Sequence, residues 1–286
     1  MQKLTIQITQ NFRIDNSNTL IFEEDYENAM EYFIICLVAM LGAGLTLFSG
    51  FGLGTILLPV FGLFFPIEIA VVLTALVHFM NNAFKLLLLG RNADKNTVMK
   101  FGIPAILFSF LGAYALSLLT DIPPFFSYHI NNTQFEVKPL KLIIGLLLIV
   151  FALFDVIPQL KNLEFDKKHL PLGGALSGFF GGISGHQGAL RSAFLIRTGL
   201  SKEAFIATGV VIACLVDVSR LSIYIPKIIS NEVELDFKLV GLATLSAFMG
   251  VYFGNKLLQK TTITLVQNIV GVTLLVFGIL MMTGIV

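Results

Sequence analysis

Apolar residues fall in long runs rather than alternating with polar ones. The runs Phe33 to Phe48, Ile67 to Leu89, Ile103 to Leu119, Leu140 to Ile157, Ala204 to Ile225, Leu239 to Phe253 and Ile263 to Val286 approach or reach the length of a bilayer-crossing helix, which takes roughly 20 apolar residues. Two further apolar segments, Thr55 to Phe65 and Leu190 to Thr198, are too short to cross and read as re-entrant or half-spanning. Polar loops punctuate these runs, and the pattern predicts an all-α integral membrane protein.

Composition agrees. Of the 286 residues 56% are hydrophobic and 13% charged, with mean hydropathy +0.85. Too little polar chain remains for a soluble domain, so function must sit within the bilayer. A net charge of +1 without a basic run gives no reason to expect nucleic acid. Cys36 and Cys214 each lie in an apolar run and read as buried free thiols. The first 30 residues, acidic toward their end, lack the charged start and short apolar stretch of a cleavable signal peptide. The first spanning helix then does the targeting, Met30 is an alternative start, and "LTIQITQ" carries a weak strand alternation.

Aligned against itself, the chain repeats. At an offset of 135, Ser49-Gly50 meets Ser184-Gly185, Glu68 meets Glu203 and Lys85 meets Arg220. At 138, "LFSFLGAY" meets "LSAFMGVY", and at 126, "GLLLIVF" meets "GVTLLVF". The expected organisation is a polar extension over 1–30, a first membrane repeat over 31–157, a cytoplasmic linker over 158–170 and a second repeat over 171–286. Lysine and arginine concentrate in loops 90–97, 158–170 and 254–262, whereas the N-terminus and loop 229–237 are acidic. Since cytoplasmic loops are enriched in these cations, the basic loops go inside. That requires an odd number of effective crossings per repeat: about five helical segments each, one of them short, with the halves inverted. A parallel arrangement with four crossings is the alternative. Inverted repeats with broken helices are the layout of a secondary transporter with its site near mid-membrane.

The breaks are glycine-rich. "FSGFGLGTILLP" (48–59) and "GGISGHQGALRS" (181–192) each follow a repeat's first helix and precede its short one. A helix start leaves backbone N–H groups unpartnered at the positive end of its dipole, so two such starts can cradle a small anion. Ser49, Gly50, Gly52 and Gly54 in the first break, and Ser184, Gly185, His186 and Gln187 in the second, are therefore candidate substrate contacts. Gly42, Gly44, Gly173, Gly174, Gly181 and Gly182 fit tight helix packing equally well.

Polar residues on the following helices extend the set. His78, Asn81, Asn82 and Lys85 share one helical face, as do Asp217, Arg220 and Tyr224 in the second repeat. Asn81, Asn82, Lys85, Arg191 and Arg220 join the candidates, because ionisable groups within a membrane face a cavity or a partner. Lys85 can snorkel from its helix end, and Asp217 can neutralise Arg220 within the helix. Asp217 and His186 are candidates for coupling. No metal site or cofactor is expected, and H-E-x-x-H, G-x-S-x-G and P-loop patterns are absent.

The S-G-x-G-x-G stretch ending in proline (Ser49 to Pro59), the helix starting near Glu68 with polar residues near its end, and the degenerate copy around "GFFGGISGHQGAL" resemble the TauE/SafE family of membrane permeases. The resemblance covers about residues 31 to 286. It implies an exporter of sulfite or small organosulfonates, multi-pass in a cell membrane of the bacterial inner-membrane type. The second copy departs from the family pattern, with His186-Gln187 inside it and Phe194 at the matching proline. The expected partners are a small anion and the lipid bilayer, with a homodimer left open. An anion channel and an intramembrane enzyme are the alternative classes.

Overall fold

The computed structural model describes residues 17–49, 52–131, 133–161, 164–230, 235–257 and 263–286. The main helices are α1 (Ser17–Ser49), α2 (Gly54–Phe64), α3 (Ile67–Leu89), α4 (Lys95–Thr120), α5 (Pro139–Val156), α6 (Leu170–Ser184), α7 (Gly188–Leu195), α8 (Lys202–Ile229), α9 (Phe237–Leu257) and α10 (Ile263–Met282). Among the described residues, five helical stretches are long and apolar enough to cross a membrane: Ala29–Thr46, Ile67–Asn92, Lys95–Thr120, Lys202–Pro226 and Phe237–Gly254. The "LTIQITQ" stretch, Gly50 and Phe51 lie outside the described residues.

One element departs from an all-helical chain. Phe126–Ile130 (β1) and Thr133–Val137 (β2) pair as an antiparallel hairpin, turned at Asn131 with φ 47. Asparagine tolerates this left-handed conformation better than most side chains. Stacking of Tyr128 on Phe135 and a bond from the Tyr128 hydroxyl to the Thr283 carbonyl (2.5 Å) fix the hairpin against the end of α10.

The two short segments form where the apolar pattern puts them, and both fold back. A Cβ on Gly42 would meet Leu53 and Ile56, so α2 returns along α1. Likewise Gly173 meets Phe194 and Gly181 meets Gln187, so α7 returns along α6. Each pair is a helical hairpin. The first tip lies against Thr74 and His78, and the second against Arg220, positions near the middle of α3 and α8. Both tips therefore stop about halfway along the long helices.

Glycine and other small residues let the helices around the hairpins approach closely. Along α4 and α6, Phe101, Ala105 and Ser109 meet Gly174, Gly178 and Gly182 in order, so these helices run parallel. Along α1 and α9, Met40 meets Gly250 and Gly44 meets Gly254, again in parallel. By contrast α5 and α10 run antiparallel, with Gly145 opposite Met281 and Met282, and Gly278 opposite Leu148 and Ile149. Helix α3 packs on α8. Leu57, Phe61, Leu73 and Val77 form a fully buried core beside the first hairpin, while Leu107, Leu118, Leu245 and Val272 present apolar surface outward, as a lipid-facing exterior requires. The wide helical turn at Val98–Gly102 precedes Pro104, which has no N–H to return to the preceding turn.

Charge distinguishes the two ends. Arg91, Lys95, Lys167, Lys168, Arg197 and Lys202 belong to the loops and helix starts at one end, where Asp94 N–H donates to Thr208 Oγ1 (2.9 Å) and Arg197 Nε donates to Glu164 (2.8 Å). The β-hairpin, the α2–α3 turn and the C-terminus gather at the other end and line a second cavity there.

Candidate functional site

The polar faces of α3 and α8 meet at the hairpin tips. His78 Nδ1 donates to Asp217 Oδ2 over 2.7 Å, since the carboxylate can only accept. Asn82 Nδ2 donates to the same oxygen over 3.2 Å. It also sits 3.1 and 3.2 Å from the two ring nitrogens of His78, which places the amide over the imidazole face. Asp217 Oδ1 takes Arg220 Nε at 3.0 Å and Nη2 at 2.8 Å. Asp217 and Arg220 are both 0% exposed and His78 is 1% exposed. The pairing of Asp217 with Arg220 inside one helix is thus present, but it is half of a larger network that also ties α3 to α8.

Lys85 does not snorkel to the surface. It is buried at 4% exposure and lines a small cavity with Thr46, Gly52, Asn82, Arg191 and Ser192, over an apolar floor that includes Leu195 and Phe205. Arg191, on α7, extends across α8 at Gly209, where a Cβ would stand 3.3 Å from its Nε. A water-sized sphere finds about 30 Å³ of room here. By that measure one water needs roughly 10–15 Å³, so the cavity must widen to admit a four-atom oxyanion.

The remaining candidates fall on the second tip. Gly185 has φ 79 and its position abuts Arg220 Nη1, which a Cβ would approach to 2.7 Å. Gln187 offers its carbonyl to Ser177 Oγ (3.1 Å), while its side-chain amide has no partner among the described residues. His186 stacks on Phe151 with Nδ1 3.1 Å from the Ser184 carbonyl, and its Nε2 has no partner among the described residues. The same holds for Arg220 Nη1 and both amide atoms of Asn81. Ser184 Oγ is used locally, donating to the Phe180 carbonyl (3.1 Å). Ser49 closes α1, and Gly50 lies outside the described residues.

The two helix starts differ. In α7, Gln187 makes no side-chain cap, so the first amides of that helix have no intrahelical partner. In α2 the start closes on itself: the Thr55 amide (3.2 Å) and hydroxyl (2.7 Å) both donate to the Gly52 carbonyl, and Ile56 N–H donates to Leu53. Gly54 then serves packing, with the Gly185 carbonyl 3.6 Å from where its Cβ would be.

Sequence reasoning passed over Thr46 and Ser192, single hydroxyls in apolar helices whose only signal is nearness to the glycine breaks. It noticed His78 but gave it no task, because its partner lies on another helix.

The family model described as Sulfite exporter TauE/SafE matches residues 35–281. The chain belongs to the TauE/SafE family. This TauE/SafE protein is a multi-pass membrane transporter of the sulfite-exporter type, and its family comprises transporters rather than enzymes. No curated protein sequence and no solved structure matches the chain.

Proposed function

We propose that this protein is a secondary transporter, acting as an exporter, that carries a small anion, sulfite or an organosulfonate, through a site between the two hairpin tips. One observation carries the reading: among the described residues, the buried cluster holds three cations, Lys85, Arg191 and Arg220, and a single carboxylate, Asp217. Ionisable groups within a membrane are expensive and face a cavity or a partner. A mobile anion that enters the cavity meets Lys85 and Arg191 there, with the α7 start, His186, Gln187 and Arg220 on the second tip.

Two inverted repeats give the site its symmetry in this reading. Exchanging α1–α5 with α6–α10 turns the α4–α6 contact into α9–α1 and returns α3–α8 and α5–α10 to themselves. A pair that maps onto itself while running antiparallel, as α5 and α10 do, implies a two-fold axis across the helices. Such an axis lies in the membrane plane and inverts the halves. The cation-rich end then faces the cytoplasm, and the Lys85–Arg191 cavity approaches that side. Its constriction favours alternating access over an open channel.

Counterflow of radiolabelled sulfite in proteoliposomes tests this. Wild type is expected to exchange sulfite, and Lys85→Gln and Arg191→Gln to lose most of that exchange while remaining monodisperse. Exchange at the wild-type rate in both variants rejects the site.

A further inference from the structure

We propose that His78, held by Asp217, is the proton-binding group that couples protons to anion transport. This deepens the transporter reading above and rests on it.

The geometry assigns each ring nitrogen a separate task. Nδ1 is committed to Asp217 at 2.7 Å. Nε2 points at the first hairpin tip, where a Cβ on Gly52 would come within 2.8 Å of it. Gly52 also lines the Lys85–Arg191 cavity, as does Asn82, whose amide covers the ring. A proton arriving through the cavity therefore reaches Nε2 past a residue with no side chain.

Charge gives the sign. With the ring neutral, His78, Asp217 and Arg220 sum to zero. A proton on Nε2 makes the ring an imidazolium, keeps the Nδ1–H bond to Asp217 and brings the trio to +1. No other bond is made or broken. The added positive charge stands beside the anion cavity, so proton and anion bind cooperatively. By reciprocity the bound anion raises the proton affinity of His78.

The surroundings support this placement. The charged or titratable groups that act on His78 are Lys85 on its own helix, Asp217 and Arg220 on α8 and His186 on the second tip; Arg191, Cys214 and Tyr224 lie one step further out, acting on Lys85, Asp217 or Arg220. Asp217 is the one carboxylate among them. It holds His78, whereas His186 stacks on Phe151.

Equilibrium binding of sulfite and of sulfate to the purified full-length protein in nanodiscs, from pH 5.5 to 8.5, tests the proposal. Sulfite titrates in this range, but its own protonation is common to all variants and cancels in the comparison. Wild-type affinity for both ions is expected to rise relative to His78→Gln by about tenfold as pH falls, and the sulfate profile of His78→Gln to be flat whatever its absolute level. Equal slopes in the two proteins overturn the proposal while leaving anion transport standing. Failure of wild type to bind either ion overturns both. Should His78→Gln not fold, histidine-selective NMR of wild type decides: one imidazole must titrate at higher pH with sulfate present, and no such shift rejects the coupling role.

Discussion

Asn82 and Asp217 stand 135 residues apart and are hydrogen-bonded, Nδ2 to Oδ2, at 3.2 Å. The separation equals the offset at which Ser49-Gly50 meets Ser184-Gly185 and Lys85 meets Arg220. Each residue has a cation three positions on, Lys85 after Asn82 and Arg220 after Asp217. Position 217 thus carries the carboxylate and position 82 its uncharged isostere. Asp217→Asn removes the negative charge and leaves one acceptor oxygen for two donors, His78 and Arg220, and leaving a buried cation without its counter-charge costs about 3–5 kcal/mol. The exchanged double variant, Asn82→Asp with Asp217→Asn, restores a carboxylate within reach of Lys85 and His78. It is expected to recover at least half of the loss in thermal unfolding measured in detergent. A double variant no more stable than Asp217→Asn would show that the two positions are not interchangeable.

Glycine is required at the second tip by geometry and is optional at Gly54, the first residue of α2. At Gly185 a side chain meets both φ 79 and a guanidinium nitrogen 2.7 Å from its Cβ, and a non-glycine residue in the left-handed region costs of order 1–3 kcal/mol. Gly185→Ala should therefore lower stability by that amount and disturb Arg220. At Gly54 the nearest neighbours stand 3.5 Å away or more, so Gly54→Ala should stay within about 0.5 kcal/mol of wild type. Unfolding midpoints of the two variants, with sulfite exchange as the second readout, check the contrast.

The helix breaks were legible in the sequence because glycine clusters and apolar run lengths are local signals. Segments expected at Thr55 to Phe65 and Leu190 to Thr198 form as Gly54–Phe64 and Gly188–Leu195 with a short turn beyond. What joins the breaks was not legible. His78, Asn81, Asn82 and Lys85 share a helical face by spacing, but spacing carries no information on which neighbour that face meets, and the bond from His78 to Asp217 spans 139 residues. The β-hairpin was missed although Asn131-Asn132 sits between two alternating stretches, because strand signals are weak beside long apolar runs. The resemblance supplied the family, which the match over 35–281 shows.

Glycines along the helix seams act by steric fit. A Cβ on Gly178 would stand 2.2 Å from the Ala105 carbonyl oxygen, and one on Gly250 would stand 1.9 Å from that of Met40. Backbone cannot yield as a flexible side chain does. Gly178→Val and Gly250→Val should each prevent stable folding, seen as loss of monodisperse protein. Gly241 has nothing within 4 Å and lies in α9. Gly241→Ala should be neutral or raise stability by up to about 1 kcal/mol through helix propensity.

Asp94 caps the start of α4 and is exposed enough to titrate from solution. The Thr97 hydroxyl and amide bond its carboxylate and hold its pKa below the usual aspartate value. A depressed folded-state pKa contributes stability that is complete above the unfolded value, near 4, and is lost as pH falls through the folded one. Asp94→Ala should cost about 1 kcal/mol at pH 7, less as salt screens this solvent-facing site, and progressively less as acid protonates the folded-state carboxylate. Wild-type and variant unfolding midpoints that converge on acidification bear this out; a gap independent of pH contradicts it. The same loop bonds Thr208, next to Gly209 in the cavity wall, so slower sulfite exchange in this variant is a further expectation.

Cys214 lies behind the cavity wall, close to its two cations, and is expected to report a widening of the cavity. It is 8% exposed and lies within electrostatic reach of Lys85 and Arg191. The chain's other cysteine, Cys36, sits on α1, so Cys36→Ser leaves a single thiol. In the constricted state that thiol is sheltered, and a negatively charged thiosulfonate reagent reaches it only when the cavity widens toward the cation-rich end. The two cations should then make this reagent faster than a positively charged one of equal size, a preference that salt reduces. Saturating sulfite should slow labelling by occupying the same cations, whereas an opening on the opposite side of the tips would leave Cys214 unreactive to reagent added at the cation-rich face. Equal rates for the two reagents, unaffected by sulfite, would place Cys214 away from the anion path.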